Sequence, residues 1–249
     1  MKNGEFPKAT DPKQYDSPEA QWQLRGAEDS PSRRYLRESL DSFVEIEAIK
    51  DKRVIDIGSG TGHLFNWLKE KGARDIQGID PSEENIKTST EKYPWAISHL
   101  STLGEFSETT TEKFDTAFAV MVIEHMEDLG GAFQEINQLL VENGKLILVM
   151  GDKDDELSSE TGRGKHIVMA EIIRQLPDGA IEVKIERSLG GGVTSTIFDI
   201  LRSVELVRES ADKAGFDLIA EKPIMNKVAS RSEKPMCHML AFIKRPVRK

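Results

Sequence analysis

An α/β fold on a mostly parallel sheet is predicted, and three observations carry it. Val54-Ile55-Asp56-Ile57 is a short apolar run broken by one acid, and Gly58-Ser59-Gly60-Thr61-Gly62 follows with glycine at every second position. A helical apolar face begins at once with Leu64, Phe65, Trp67 and Leu68 and closes at Gly72, so the stretch reads as buried strand, tight turn and helix. The rhythm then repeats, with a second strand pattern at residues 75–80 ending in Asp80. Glycines at such a turn permit positive φ and let a ligand touch the backbone. The sequence therefore places a ligand here.

The chain has 249 residues, enough for one large α/β domain or two small ones. No internal repeat or separate second domain is visible, so residues 1–249 are read as a single domain. Charged residues make up 31% and the net charge is -9, which argues against broad contact with a nucleic-acid backbone. The single cysteine, Cys237, allows no internal disulfide. With no long apolar run and a polar N-terminus, no membrane span or signal peptide is expected, and the default location is the cytoplasm.

Taken in order, residues 1–34 are polar, with scattered aromatics at Phe6, Tyr15 and Trp22. They read either as a loose arm or as a cap over the site. Tyr35, Leu36, Leu40 and Phe43 then share one helix face. After Asp80 and Pro81, Ser82 is placed to cap a helix whose first turn carries Glu83 and Glu84. Residues 96–106 hold a third strand and the loop after it. A fourth strand covers residues 113–120. Ala132, Phe133, Ile136, Leu139 and Leu140 lie at helical spacing, Asn143-Gly144 is a stop, and residues 145–150 form a buried strand.

The rhythm breaks over residues 152–200. The first part is charged and loop-like, with Gly162 and Gly164, and residues 167–176 suit a short helix. Ile181, Val183 and Ile185 alternate with charged residues as in a half-buried strand. Gly190-Gly191-Gly192 turns the chain into a second strand over residues 193–198. An insertion after the fifth strand lies at the carboxyl edge of the sheet, where open α/β folds bind ligands. It reads as a substrate lid or as a dimerisation hairpin. Val204, Val207, Ala211 and Ala214 form a last helix face ended by Gly215, and residues 216–220 and 235–245 supply two more strands.

The glycine spacing separates known loops. The dinucleotide fingerprint needs a third glycine where His63 stands, which disfavours a nicotinamide cofactor. No Gly-Lys-Ser/Thr follows, so the loop is no P-loop. Together with Phe114-Asp115, the apolar run after it, Glu124-His125 and the later Leu139-Leu140-Val141-Glu142-Asn143-Gly144-Lys145, the loop resembles the class I S-adenosylmethionine-dependent methyltransferases, most fully over residues 35–150. The resemblance implies a Rossmann-like seven-stranded sheet with helices on both faces, its last strand antiparallel beside the fifth. It implies S-adenosylmethionine as cofactor.

The resemblance also implies roles. Asp56 helps to orient the methionine amino group, directly or through water, and Gly58, Ser59 and Gly60 bind the cofactor. Asp80, followed by Pro81, accepts the ribose hydroxyls, unless it is a capping acid. Ser101 and the Thr102 backbone face the adenine where relatives carry an aspartate. Ala119 and Val120 lie beside the methionine, and His125 faces the acceptor as a base or as a structural histidine. A base helps because a hydroxyl acceptor has a proton to lose, and histidine titrates near neutral pH. No Asn/Asp-Pro-Pro-aromatic sequence follows the fourth strand, Cys237 sits in the last strand, and no carboxylate follows Val120. Adenine-type amino methylation, cytosine C5 methylation and a magnesium site are therefore not expected, and no metal is predicted. The expected activity is methyl transfer to a small molecule, by guess to oxygen. The alternative is a non-catalytic relative that binds a protein partner through residues 152–200, and a homodimer is open.

Overall fold

The computed structural model describes residues 8–16, 31–154, 167–190, 193–225 and 235–246. Phe6, Trp22, Gly162, Gly164, Gly191 and Gly192, named above, lie outside the described residues.

Seven strands form the main sheet. They are β1 (Arg53–Ile57), β2 (Asp75–Asp80), β3 (Ile97–Leu100), β4 (Phe114–Val120), β5 (Leu140–Gly151), β9 (Phe216–Met225) and β10 (Pro235–Lys244). Their spatial order is β3-β2-β1-β4-β5-β10-β9. The pairs β2–β3, β1–β2, β1–β4 and β4–β5 are parallel, and β10 runs antiparallel to both β5 and β9. The expected architecture, including the reversed last strand beside the fifth, is the one found.

Among the described residues six helices cover the sheet: α1 (Pro31–Phe43), α2 (Phe65–Glu70), α3 (Glu83–Lys92), α4 (Leu103–Thr109), α5 (Leu129–Leu139) and α6 (Val204–Lys213). Side chains alternate across a strand, so each central strand feeds two cores. Ile55, Ile57, Ala117, Ala119, Leu146, Leu148, Leu240 and Phe242 join α4, α5 and α6 on one face. Val54, Phe118, Val120, Ile147, Val149, Met239 and Ala241 join α1, α2 and Tyr93 on the other. Burial on both faces explains why these strands read as near-continuous apolar runs.

Two expectations change. Residues 167–175 form a strand, not a short helix: β6 (Ile167–Gln175) pairs antiparallel with β7 (Ile181–Gly190), which pairs with β8 (Val193–Leu201). The tertiary partner decides, because Ile172 and Ala170 sit opposite Val183 and Ile185 and cross-strand pairing overrides a weak local preference. At Asn143 the backbone turns at φ 60 inside β5, which already pairs from Leu140. The helix before it ends at Leu139, so Asn143-Gly144 marks a bend within the strand.

The three-stranded sheet is tied to the N-terminal segment. The Ala9 N–H donates to Glu182 Oε1 at 2.7 Å, and the Phe198 N–H donates to Gln14 Oε1 at 3.0 Å. Ala9 packs with Leu176, Ala180, Phe198 and Ile200. A short turn, Pro12–Tyr15, is thereby carried over the carboxyl edge of the main sheet.

Candidate active site

Strand order reverses between β1 and β4, and the loops after β1, β2, β4 and β5 leave the sheet on the same edge. Open α/β sheets bind ligands at such a switch point.

The loop after β1 is laid over the end of β2. The N–H groups of Gly58 and Ser59 both donate to Ile79 O, at 2.9 and 3.0 Å. The Gly60 N–H donates to Asp80 Oδ2 at 2.9 Å. Gly58, Gly60 and Gly62 all have positive φ. At Gly58 a Cβ would stand 2.3 Å from Val122 Cγ2, so the loop and the turn after β4 meet at a distance only glycine allows. At Gly60 the space is open, with His63 Nδ1 4.0 Å away. Sequence reasoning missed Gly78, where a Cβ would lie 2.6 Å from Phe65 Cζ and 2.7 Å from Ser59 Oγ. The sequence signal was a glycine inside a buried strand.

Two acids converge under this loop. Asp56 is 1% exposed, and its Oδ2 has no hydrogen-bond partner among the described residues. Burial, then the nearby charge of Asp80, pushes its carboxyl well above the usual range. The Ser59 hydroxyl is also buried without a partner among the described residues. Asp80 Oδ1 accepts from the Ser82 N–H and from Asn85 Nδ2. Burial raises its pKa, against these donors, the Gly60 N–H and the charge of His125. With three of about four acceptor positions in use, Asp80 holds the glycine loop and the cap residue of α3, and Oδ2 keeps room for one further donor. Pro81 is exposed, and Ser82 caps α3 as expected.

Beyond β3, Ser101 hydroxyl donates to Thr102 O. The Thr102 N–H, expected to face a ring nitrogen, donates to Glu105 Oε2 at 3.0 Å in a capping box that starts α4. Ala119 and Val120 end β4 fully or nearly buried, on opposite sheet faces. Met121 follows at φ 54, a conformation rare for a residue with a Cβ.

This reversal throws out a turn, Ile123–His125. His125 Nε2 meets Tyr15 Oη at 2.5 Å, and its Nδ1 lies 3.7 Å from Asp199 Oδ1 on β8. Arg202, 2% exposed, donates through Nη1 to Ile123 O at 2.7 Å and through Nη2 to Met126 O and Glu127 O. Burial lowers the Arg202 pKa. Glu124 Oε1 accepts the Gly151 N–H at 2.8 Å, and burial raises the Glu124 pKa. A second pair, His238 Nε2 and Asp152 Oδ2 at 2.8 Å, stands where β5 and β10 reach the same edge. Asp199 and Arg202 were not foreseen. The one available signal was an acid inside Ile197-Phe198-Asp199-Ile200-Leu201. Among the described residues no group of three or more His, Cys, Asp or Glu is arranged to hold a metal.

A profile described as a methyltransferase domain matches residues 29–220. The chain belongs to that methyltransferase family. A ubiquinone biosynthesis O-methyltransferase from Bradyrhizobium diazoefficiens is 36% identical over 99 residues, 39% of this chain and 38% of that protein. The human mitochondrial protein of the same name is 34% identical over 108 residues, 41% of this chain and 29% of that one. The match thus spans well under half the length of these relatives. A magnesium protoporphyrin IX methyltransferase from Synechocystis, solved with bound S-adenosylmethionine, shares the fold at a TM-score of 0.62 and 15% identity, over 97% of this chain and 99% of that one.

Proposed function

We propose that this methyltransferase moves a methyl group from S-adenosylmethionine to a hydroxyl of a small molecule. The observation that carries the reading is Asp56 Oδ2, a buried carboxylate oxygen without a donor beside three positive-φ glycines. A buried acceptor left unpaired is costly, and an ammonium group is its natural complement. The residues present fit the cofactor.

Bound S-adenosylmethionine supplies a methyl group on a positively charged sulfur, open to in-line displacement. Asp56, with Gly58, Ser59 and Gly60, receives the amino-acid end. Asp80 Oδ2 accepts a ribose hydroxyl, with Pro81 alongside. Ser101 and Thr102 lie on the adenine side, and Ala119 and Val120 border the methionine portion. His125 Nε2 takes the proton that the acceptor hydroxyl gives up, and the Asp199 carboxylate behind Nδ1 stabilises the resulting cation. Holding the partners in line is the larger part of the catalysis.

A small acceptor is supported by the net charge of -9 and by the names of the curated relatives. The 152–200 insertion supports a lid, because β8 brings Asp199 to His125. We place the protein in the cytoplasm as one domain, on its composition and its lone cysteine. No helix among the described residues is long and apolar enough to cross a membrane. A second reading has the insertion bind a protein partner or a second copy, favoured by the exposed Ile172 and Met169 on β6.

Turnover decides. Labelled S-adenosylmethionine incubated with a panel of phenols, catechols and carboxylic acids should label a hydroxyl-bearing compound. His125→Ala should slow that transfer by about 10²–10⁴-fold while cofactor affinity holds. Calorimetric binding of NAD, without binding of S-adenosylmethionine, overturns the reading.

A further inference from the structure

We infer that Tyr15 holds the acceptor's place: its phenol sits where the substrate hydroxyl binds, so the acceptor is a hydroxyl on an aromatic ring. The inference rests on the proposed role of His125.

Tyr15 Oη and His125 Nε2 are 2.5 Å apart, and their rings meet edge to face at 77° with centroids 5.3 Å apart. Nε2 is the nitrogen that must reach the acceptor, because Nδ1 faces Asp199 at 3.7 Å. A hydroxyl acceptor and Tyr15 therefore compete for one lone pair. An imidazole that takes one phenol edge-on through Nε2 has the geometry and polarity to take another. An aliphatic alcohol would satisfy Nε2 but leave the ring contact empty.

Tyr15 is half-buried and belongs to none of the buried apolar clusters formed by the described residues. On one side its turn is tied to the three-stranded sheet: Gln14 bridges Ala9 O and the Phe198 N–H, and Ala9 N–H reaches Glu182. On the main domain, Asp16 Oδ1 accepts the Ser82 hydroxyl at 2.6 Å. Consecutive residues thus touch His125 and the cap of α3, which lies two residues after Asp80. The turn is a latch across the cleft, and its phenol is the tooth. A residue that relays protons throughout the reaction would stay at Nε2, whereas a place-holder gives way.

The test is calorimetric titration of wild-type protein, Tyr15→Phe, and Tyr15→Phe with His125→Ala, using 4-nitrophenol, 4-nitroaniline and nitrobenzene as probes. Tyr15→Phe should bind 4-nitrophenol about five- to tenfold more tightly than wild type, from the one hydrogen bond it frees. The double variant should lose that gain, and the other two probes should show none. Equal or weaker 4-nitrophenol binding by folded Tyr15→Phe overturns the inference, as does an equal gain for 4-nitroaniline or a gain that survives His125→Ala. S-adenosylmethionine binding is measured in the same samples. If it fails while the phenol gain appears, the methyl-transfer reading falls and the place-holder stands.

Discussion

Asp80 Oδ2 accepts the Gly60 N–H at 2.9 Å, and so the end of β2 holds the glycine loop that follows β1. Its other oxygen holds Ser82 and Asn85. The carboxylate is 7% exposed and ties three segments together.

Asp80→Ala should therefore weaken S-adenosylmethionine binding by about 1.5–3 kcal/mol, the worth of one hydrogen bond to a charged acceptor, or roughly ten- to a hundredfold. It should also lower stability, because three donors lose their partner. Asp80→Asn should not rescue fully, since an amide has one accepting oxygen where both oxygens of Asp80 accept. Calorimetry of both variants with thermal unfolding checks this. Unchanged affinity in a folded Asp80→Ala protein would move the ribose elsewhere.

Asp56→Asn should stabilise the ligand-free protein and weaken the cofactor. The Asp56 carboxyl is raised in the folded state, so the native chain keeps a proton that the unfolded chain has lost. Stability then falls as pH rises from about 3.9, the unfolded carboxyl value, through the raised folded value, and the deficit persists above it. Asparagine carries no such charge. Melting curves at pH 5 and pH 8 should show the variant's advantage growing with pH. An advantage that shrinks instead would mean Asp56 is paired.

Gly78→Ala should cost about 1–3 kcal/mol by overpacking. The added methyl would meet the Phe65 ring and Ser59 at under 3 Å. The loop after β1 would lift, so cofactor affinity should fall with stability. Urea unfolding and calorimetry measure the two. A neutral result would show that Phe65 can move aside.

Arg202→Met should slow turnover far more than it weakens the cofactor. The guanidinium holds the carbonyl groups of Ile123, Met126 and Glu127 around His125. A shift of about 1 Å at a catalytic group costs roughly a hundredfold in rate. Arg202→Lys should fail to rescue, because an ammonium lacks the planar fork that spans three carbonyls. Full kcat in Arg202→Met would show that the turn holds itself.

The central sheet and the glycine loop were legible in the sequence because their signals are local. Strands buried on both faces read as apolar runs, and a backbone needing positive φ three times reads as Gly58, Gly60 and Gly62. Caps behave likewise: Ser82 bonds the N–H three residues on. Asp56, one residue before the end of β1, and Asp80, at the end of β2, stood out for the same reason.

Tertiary structure alone decided the rest. Tyr15 and His125 are 110 residues apart, and Arg202 reaches carbonyls some 75 residues back. Hydrogen bonds of that kind leave no period or spacing in a sequence. The strand at residues 167–175 exists because β7 lies beside it. In sequence Asp80 was a ribose acceptor or a capping acid, and only packing showed that both its oxygens were already at work. The sequence by itself determined the scaffold and the glycine loop after β1, since backbone geometry is written residue by residue. What stands opposite His125, and which acids lie buried without a partner, depended on segments brought together by burial from distant parts of the chain.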